Sequence, residues 1–95
     1  MPAYVVFTRE NTTDRSALDT YSADVKDSFA GRDVAFLAAY GPHETLEGPP
    51  IEGAVILEFA DMTAARDWYH SPAYQQAAEH RFRGAKYRAF IVEGQ

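Results

Sequence analysis

The sequence predicts an α+β fold in which two β-α-β halves contribute to one four-stranded sheet. Three observations lead to this prediction. Four segments are rich in β-branched and aromatic residues, the segments between them carry apolar residues at helical spacing, and the strands are apolar on both faces. Because 95 residues suffice for one domain and leave no room for two, we expect residues 1–95 to form a single domain.

The first half of the chain predicts a strand, a helix and a second strand. Residues 3–8 (AYVVFT) have the composition of a strand. An apolar stripe at spacings of three and four then predicts a helix. The stripe consists of Leu18, Tyr21, Val25 and Phe29. Gly31 is a suitable C-terminal stop, and residues 34–40 (VAFLAAY) predict the second strand, which residues 43–47 could extend beyond a Gly-Pro break.

The second half repeats this pattern. Residues 53–59 (GAVILEF) predict a strand more strongly than any other segment, and Asp61 can cap the helix that follows. We expect this helix to bend at residues 70–72, where a serine and a proline can begin a second helical piece. Residues 87–92 (YRAFIV) predict the last strand. The order β-α-β-β-α-β is that of the ferredoxin-like fold.

The third predicted strand is apolar on both of its faces. Val55, Leu57 and Phe59 point one way. Ala54, Ile56 and Glu58 point the other way. A sheet with one face in water would alternate apolar and polar residues, and two helices can cover only one face. The sequence therefore predicts a homodimer in which the second face packs on a second copy, as in a dimeric α+β barrel.

Composition and short motifs exclude several classes of function. A net charge of −5 disfavours a nucleic acid partner, and the absence of cysteine excludes thiolate catalysis and cysteine zinc sites. No histidine pair has metal-ligand spacing and no glycine-rich phosphate loop is present, so we expect no metal and no organic cofactor. No apolar run is long enough to span a membrane and no signal peptide is recognisable, which favours a cytoplasmic location.

Three residues are candidates for acid–base catalysis. Glu58 lies within the strongest strand, where a carboxylate is either paired with an arginine such as Arg9 or has a raised pKa that suits a base. Glu47 borders a loop, where it could meet a ligand. His43 lies in a Gly-Pro loop, and histidine titrates near neutral pH, although a solvated loop histidine has the same signature.

Aromatic residues and arginines suggest a ligand pocket. Trp68 and Tyr74 lie near the expected helix bend, where a wedge between sheet and helix could open into a cleft. We expect any pocket to lie between the sheet and the second helix, lined by Trp68, Tyr74 and Arg81. Arg81 also belongs to a basic group that indicates either an ordinary helix end or an anion site. The group consists of Arg81, Arg83, Lys86 and Arg88.

Several segments resemble the domain of unknown function 1330 family. They are the Leu46-Glu47-Gly48 turn, the strand 55–59 (VILEF), the helical stretch 64–74 (AARDWYHSPAY) and the C-terminal 91–94 (IVEG). The resemblance implies ferredoxin-like protomers that form a dimeric α+β barrel, and it implies no reaction. Two functions remain open. One is a module that binds a small, partly apolar molecule that can be anionic, and the other is a small cofactor-independent isomerase, cyclase or lyase.

Overall fold

The computed structural model describes residues 1–95 and has the ferredoxin-like fold. One antiparallel sheet with strand order β2-β3-β1-β4 carries all the helices on one face. The elements are β1 (Ala3–Thr12), α1 (Arg15–Asp24), a 3₁₀ segment (Val25–Phe29), β2 (Val34–Ala39), β3 (Gly53–Phe59), α2 (Met62–Tyr69), α3 (Pro72–Gly84) and β4 (Ala85–Glu93). None of these helices has the length and apolar character that crossing a membrane requires.

The ends of α1 follow from local chemistry. The Asp14 carboxylate accepts hydrogen bonds from the backbone N–H groups of Ser16 and Ala17, which have no partner inside the helix. The predicted apolar stripe is helical throughout, but its last turn tightens into the 3₁₀ segment. Gly31 follows with a φ of +73°, which glycine adopts without steric cost, and this confirms the predicted stop.

The predicted bend in the second helical region is confirmed. Asp61 caps α2 through Ala64 N–H, and α2 ends at Tyr69. Ser71 then caps α3 by accepting from Tyr74 N–H, with a proline at the first helical position. Two separately capped helices replace one straight helix, so α2 and α3 can lie on different parts of the sheet.

The core lies between the sheet and the helices. Trp68 and Tyr74 are its largest fully buried side chains, and they pack on one face of the two central strands. That face carries Ala3, Val5, Phe7, Leu57 and Phe59, all buried. Aromatic side chains of this size bury large apolar areas, so this cluster supplies much of the driving force for folding.

The opposite face of the sheet is uncovered. Strand register places an unbroken apolar row across all four strands of that face, from Ala38 through Ile56 and Val6 to Phe90. Phe90 is 53% exposed. The prediction that helices would cover only one face is therefore confirmed for this chain.

Two details of β2 differ from the sequence prediction. A bulge leaves Leu37 unpaired, so Ala38 lies on the uncovered face with Ile56 and Ala39 lies on the helix-covered face. Strict alternation along β2, counted from Phe36 on the helix-covered face, would place Ala38 and Ala39 the other way round. Residues 43–47 do not extend β2; they lie in an irregular connection between β2 and β3.

Candidate functional site

An open cavity of about 510 Å³ lies between the helix-covered face of the sheet and the α1–3₁₀ region. On this side of the molecule α1 packs mainly on α3 and on the 3₁₀ segment and makes few contacts with the sheet. This volume falls within the range of small-molecule sites. The lining residues are mostly apolar and include Phe7, Tyr21, Ser22, Val25, Lys26, Phe29, Phe36, Ala39, Tyr40, Val55, Leu57, Trp68 and Tyr87.

Trp68 forms a fixed wall of the cavity. Its indole N–H donates to Ser28 Oγ at 3.0 Å, and Ser28 Oγ in turn donates to Val25 O at 2.6 Å. Its ring stacks on Phe29 with centroids 5.2 Å apart and planes 11° apart. Because its polar atom and its ring faces are held and it is only 1% exposed, Trp68 is a rigid backing of the cavity, and the more exposed rings in front of it, such as Phe36, are the ones a ligand can contact.

Tyr40 closes one end of the cavity. Its backbone N–H donates to Ala54 O at 2.8 Å, and its φ of +57° is unusual for a residue other than glycine. From the end of β2 its side chain crosses Gly53 of β3, where an added Cβ would come within 2.7 Å of Tyr40 Cδ1. Its hydroxyl then reaches the hydroxyl of Tyr87 on β4 at 2.6 Å. The absence of a side chain at Gly53 thus allows the ring of Tyr40 to lie flat over the end of the sheet.

Arg81 is a buried cation beside the cavity. It is 4% exposed, and its Nε donates to the Tyr74 hydroxyl at 3.2 Å. Its guanidinium carbon lies 5.1 Å from the ring centroid of Phe7 and 5.0 Å from that of Tyr87, both of which line the cavity. The ion pairs of the chain involve Arg9, Arg15 and His80, so no carboxylate neutralises Arg81.

Arg9 stacks on Tyr40, the tyrosine whose hydroxyl is bonded to that of Tyr87. Its guanidinium carbon lies 4.9 Å from the ring centroid of Tyr40. Its Nε is 3.1 Å from Glu52 Oε1, but the N–H is not aligned with that oxygen and has no hydrogen-bond partner. Thr12 donates to both oxygens of Glu52, one through its backbone N–H and one through its hydroxyl. The carboxylate is therefore shared between Arg9 and Thr12.

Burial changes the ionisation of three tyrosines at this site. It raises the pKa of the Tyr21, Tyr40 and Tyr74 hydroxyls, because the charged phenolate loses solvation. Tyr21 and Tyr74 also share a hydrogen bond of 3.1 Å. All three hydroxyls are therefore protonated at neutral pH and can donate hydrogen bonds.

The three predicted ligand residues lie close together, but only one of them lines the cavity. Trp68 lines it, whereas Tyr74 and Arg81 lie behind Tyr21, Phe7 and Tyr87 and do not reach it. The prediction placed a pocket against the second helix, whereas this cavity lies against α1 and the 3₁₀ segment. A smaller cavity of about 250 Å³ lies beside the end of α2, where Tyr69 and His70 line it. The basic group also separates, since Arg81 is buried while Arg83, Lys86 and Arg88 are exposed.

The three acid–base candidates lie outside the cavity. Glu58 is half-buried on the uncovered sheet face and has no ion-pair partner, since Arg9 pairs with Glu52. Glu47 is exposed in the β2–β3 connection. His43 is exposed there as well, with Nε2 3.0 Å from Ile51 O.

Sequence reasoning missed Tyr40 and Tyr87 as site residues. A glycine at a strand end is a weak signal for a tyrosine ring lying across the backbone, since Gly94 meets the ring of Tyr4 in the same way as Gly53 meets that of Tyr40. The bulge at Leu37 gives no signal in the composition of β2.

Comparison with known proteins gives the family. Residues 2–95 match the model of the family described as Domain of unknown function (DUF1330), and the chain belongs to that family. No curated protein matches the chain in sequence.

Solved structures share its fold at low sequence identity. A protein of unknown function from Rhodopseudomonas palustris is 18% identical with a TM-score of 0.77, over 99% of this chain and 82% of that one. A dimeric protein of unknown function with a ferredoxin-like fold from Bacteroides fragilis is 12% identical with a TM-score of 0.66, over 98% and 96%. A cofactor-independent oxygenase from Streptomyces nogalater is 10% identical with a TM-score of 0.62, over 99% and 93%.

Proposed function

We propose that this protein is a homodimer that binds a small, partly apolar and anionic molecule in the cavity between the sheet and the α1–3₁₀ region. The observation that carries this proposal is the cavity itself. Its volume of about 510 Å³ accommodates a molecule of one or two rings, and eleven of its thirteen lining residues are hydrophobic.

The lining favours binding over catalysis. No carboxylate and no histidine is among the lining residues, so no ordinary general base faces a molecule in the cavity. Lys26 is the lining residue that carries a formal charge, and it complements an anion. Glu58, Glu47 and His43 have no role in this proposal.

The uncovered sheet face supports the homodimer. The row from Ala38 to Phe90 would expose apolar side chains of all four strands in a monomer. A second copy of the same face, related by a two-fold axis, covers it with matching apolar surface. The related protein from Bacteroides fragilis is dimeric, which is consistent with this arrangement.

A cofactor-independent enzyme is the alternative. The related fold of the Streptomyces nogalater oxygenase is compatible with it, and so are the hydroxyl groups of Tyr21, Tyr40 and Tyr87 at the cavity. Incubation of the protein with each identified binder, followed by mass spectrometry of the products, separates the two functions. Turnover that Tyr40→Phe abolishes would favour the enzyme, and binders recovered unchanged would favour the binding module.

A thermal-shift screen against small aromatic and aliphatic acids tests the binding proposal. A ligand present at ten times its Kd stabilises the native state by about 1.4 kcal/mol, which raises Tm by about 6–11 °C for a domain of this size. Ala39 lines the cavity and is exposed, so Ala39→Phe fills the cavity from its open side. Ala23→Phe makes the same change at an exposed α1 position outside the lining and is the control. We expect the shift in wild type and Ala23→Phe, and its loss in Ala39→Phe; no shift from any compound would refute the proposal.

A further inference from the structure

At one end of the cavity lie Tyr40 and Tyr87, whose hydroxyl groups are hydrogen-bonded to each other. These two side chains come from opposite edges of the sheet and meet at 2.6 Å above the ends of the central strands. In a hydrogen bond between two hydroxyls only one proton is shared, so the pair keeps one O–H proton that can be donated elsewhere. The remaining lining near them is apolar.

Each tyrosine of the pair is stacked with an arginine. The guanidinium of Arg9 lies 4.9 Å from the centroid of Tyr40, and that of Arg81 lies 5.0 Å from the centroid of Tyr87. Arg81 is buried without a carboxylate, and Arg9 retains a buried N–H without an aligned acceptor. Arg81, which has no carboxylate partner, produces a positive potential at the hydroxyls, and this strengthens them as donors and favours negative charge on whatever they contact. Arg9 adds less to this potential, because Glu52 pairs with it.

The backbone at Tyr40 supports a functional role for this arrangement. A tyrosine at φ +57° costs about 1–2 kcal/mol relative to a right-handed conformation. Strain of this kind is kept where the surrounding contacts fix a side chain in one position. Here the strain directs the ring across Gly53 toward Tyr87.

We propose that the Tyr40–Tyr87 hydroxyl pair, with Arg9 and Arg81 behind it, is an oxyanion-recognition site at the end of the apolar cavity. This inference rests on the proposed function and narrows its ligand class. The molecule it fits has a flat apolar body, which packs on Phe29 and Phe36, and one acidic oxygen, from a carboxylate, a phenol or an enol, which accepts from the hydroxyl pair. Neutral apolar molecules of the same shape have no acidic oxygen and therefore cannot accept a hydrogen bond from the hydroxyl pair.

The test compares two probes of equal shape by calorimetry on the full-length protein. The probes are 2-naphthoate, which has the acidic oxygen, and 2-methylnaphthalene, which lacks it. Hydrogen bonds to charged groups contribute enough for us to expect naphthoate to bind about 10- to 100-fold more tightly. The double variant Tyr40→Phe/Tyr87→Phe keeps both rings and should lose this preference while its affinity for methylnaphthalene stays within about three-fold, as the apolar lining is unchanged.

Lys26→Met tests the competing explanation, because Lys26 is itself a lining residue and is the other source of anion preference at the same cavity. We expect this variant to keep most of the preference for naphthoate. The inference is overturned if Lys26→Met removes the preference, or if the double tyrosine variant keeps it. Equal binding of both probes by wild type would refute the oxyanion site and leave the apolar binding proposal standing, whereas failure of both probes to bind would count against both.

Discussion

Replacing Phe90 by serine should separate the dimer into monomers. Phe90 lies on the uncovered sheet face in register with Val6, and it is 53% exposed in the single chain. Half of a phenylalanine side chain is about 100 Å² of apolar surface. At about 25 cal/mol per Å², its burial stabilises the dimer by about 2.5 kcal/mol for each copy. A two-fold interface contains the residue twice, so the substitution should cost about 5 kcal/mol, or more than a thousand-fold in the dimer Kd.

Sedimentation equilibrium over a range of protein concentrations measures this Kd directly. Phe82 on α3 is 57% exposed and lies on the helix side of the molecule, so Phe82→Ser removes a similar apolar area away from the proposed interface. We expect wild type and Phe82→Ser to be dimers at micromolar concentration and Phe90→Ser to be monomeric. A monomeric wild type, or equal weakening by both substitutions, would refute the assignment of this face.

Three further predictions concern stability and the site. Asp14→Ala removes two hydrogen bonds at the start of α1 and should lower the free energy of unfolding by about 1 kcal/mol in urea denaturation, whereas Asp14→Ser should restore most of it; no loss with alanine would contradict the capping role. Arg81→Met removes a buried cation that has no carboxylate partner, so the free energy of unfolding should change by less than about 1 kcal/mol while naphthoate binding weakens at least about three-fold; a much larger loss of stability would indicate a structural role. Burial raises the pKa of Tyr21 and Tyr74 in the folded state, so their stabilising contribution is complete below the unfolded pKa of about 10 and is lost progressively as pH rises above it. Urea denaturation between about pH 9 and pH 11 should show this decline, and Tyr21→Phe should make it shallower by one tyrosine's share; an unchanged slope would refute the burial argument.

Much of the fold was predictable because its signals are local. The strand 53–59 has the observed bounds of β3, since a run of apolar residues between a glycine and a capping aspartate marks both ends. The break between α2 and α3 follows from the Ser71-Pro72 pair, which caps one helix and cannot continue another. The two apolar faces of the strands could also be predicted from local sequence, because successive residues of a strand point to opposite faces.

The site was less predictable because it depends on nonlocal geometry. Arg81 and Tyr74 are seven residues apart on α3 and therefore share a face, but which face meets the core depends on how α3 packs against α1 and β4. The cavity itself arises from the distance between α1 and the sheet, which no motif encodes. Tyr40 reaches the site through a positive φ, and nothing in the local sequence indicates that a tyrosine adopts this conformation.

The central claim is that the cavity between the sheet and the α1–3₁₀ region binds an apolar acid. Trp68 is the only tryptophan in the chain and lines that cavity, so its indole N–H gives one isolated signal in a ¹H–¹⁵N NMR spectrum. Titration with 2-naphthoate should shift this signal saturably in wild type and in Ala23→Phe, and should leave it unchanged in Ala39→Phe. A Trp68 signal that does not respond in wild type, or that responds equally in Ala39→Phe, would contradict the claim.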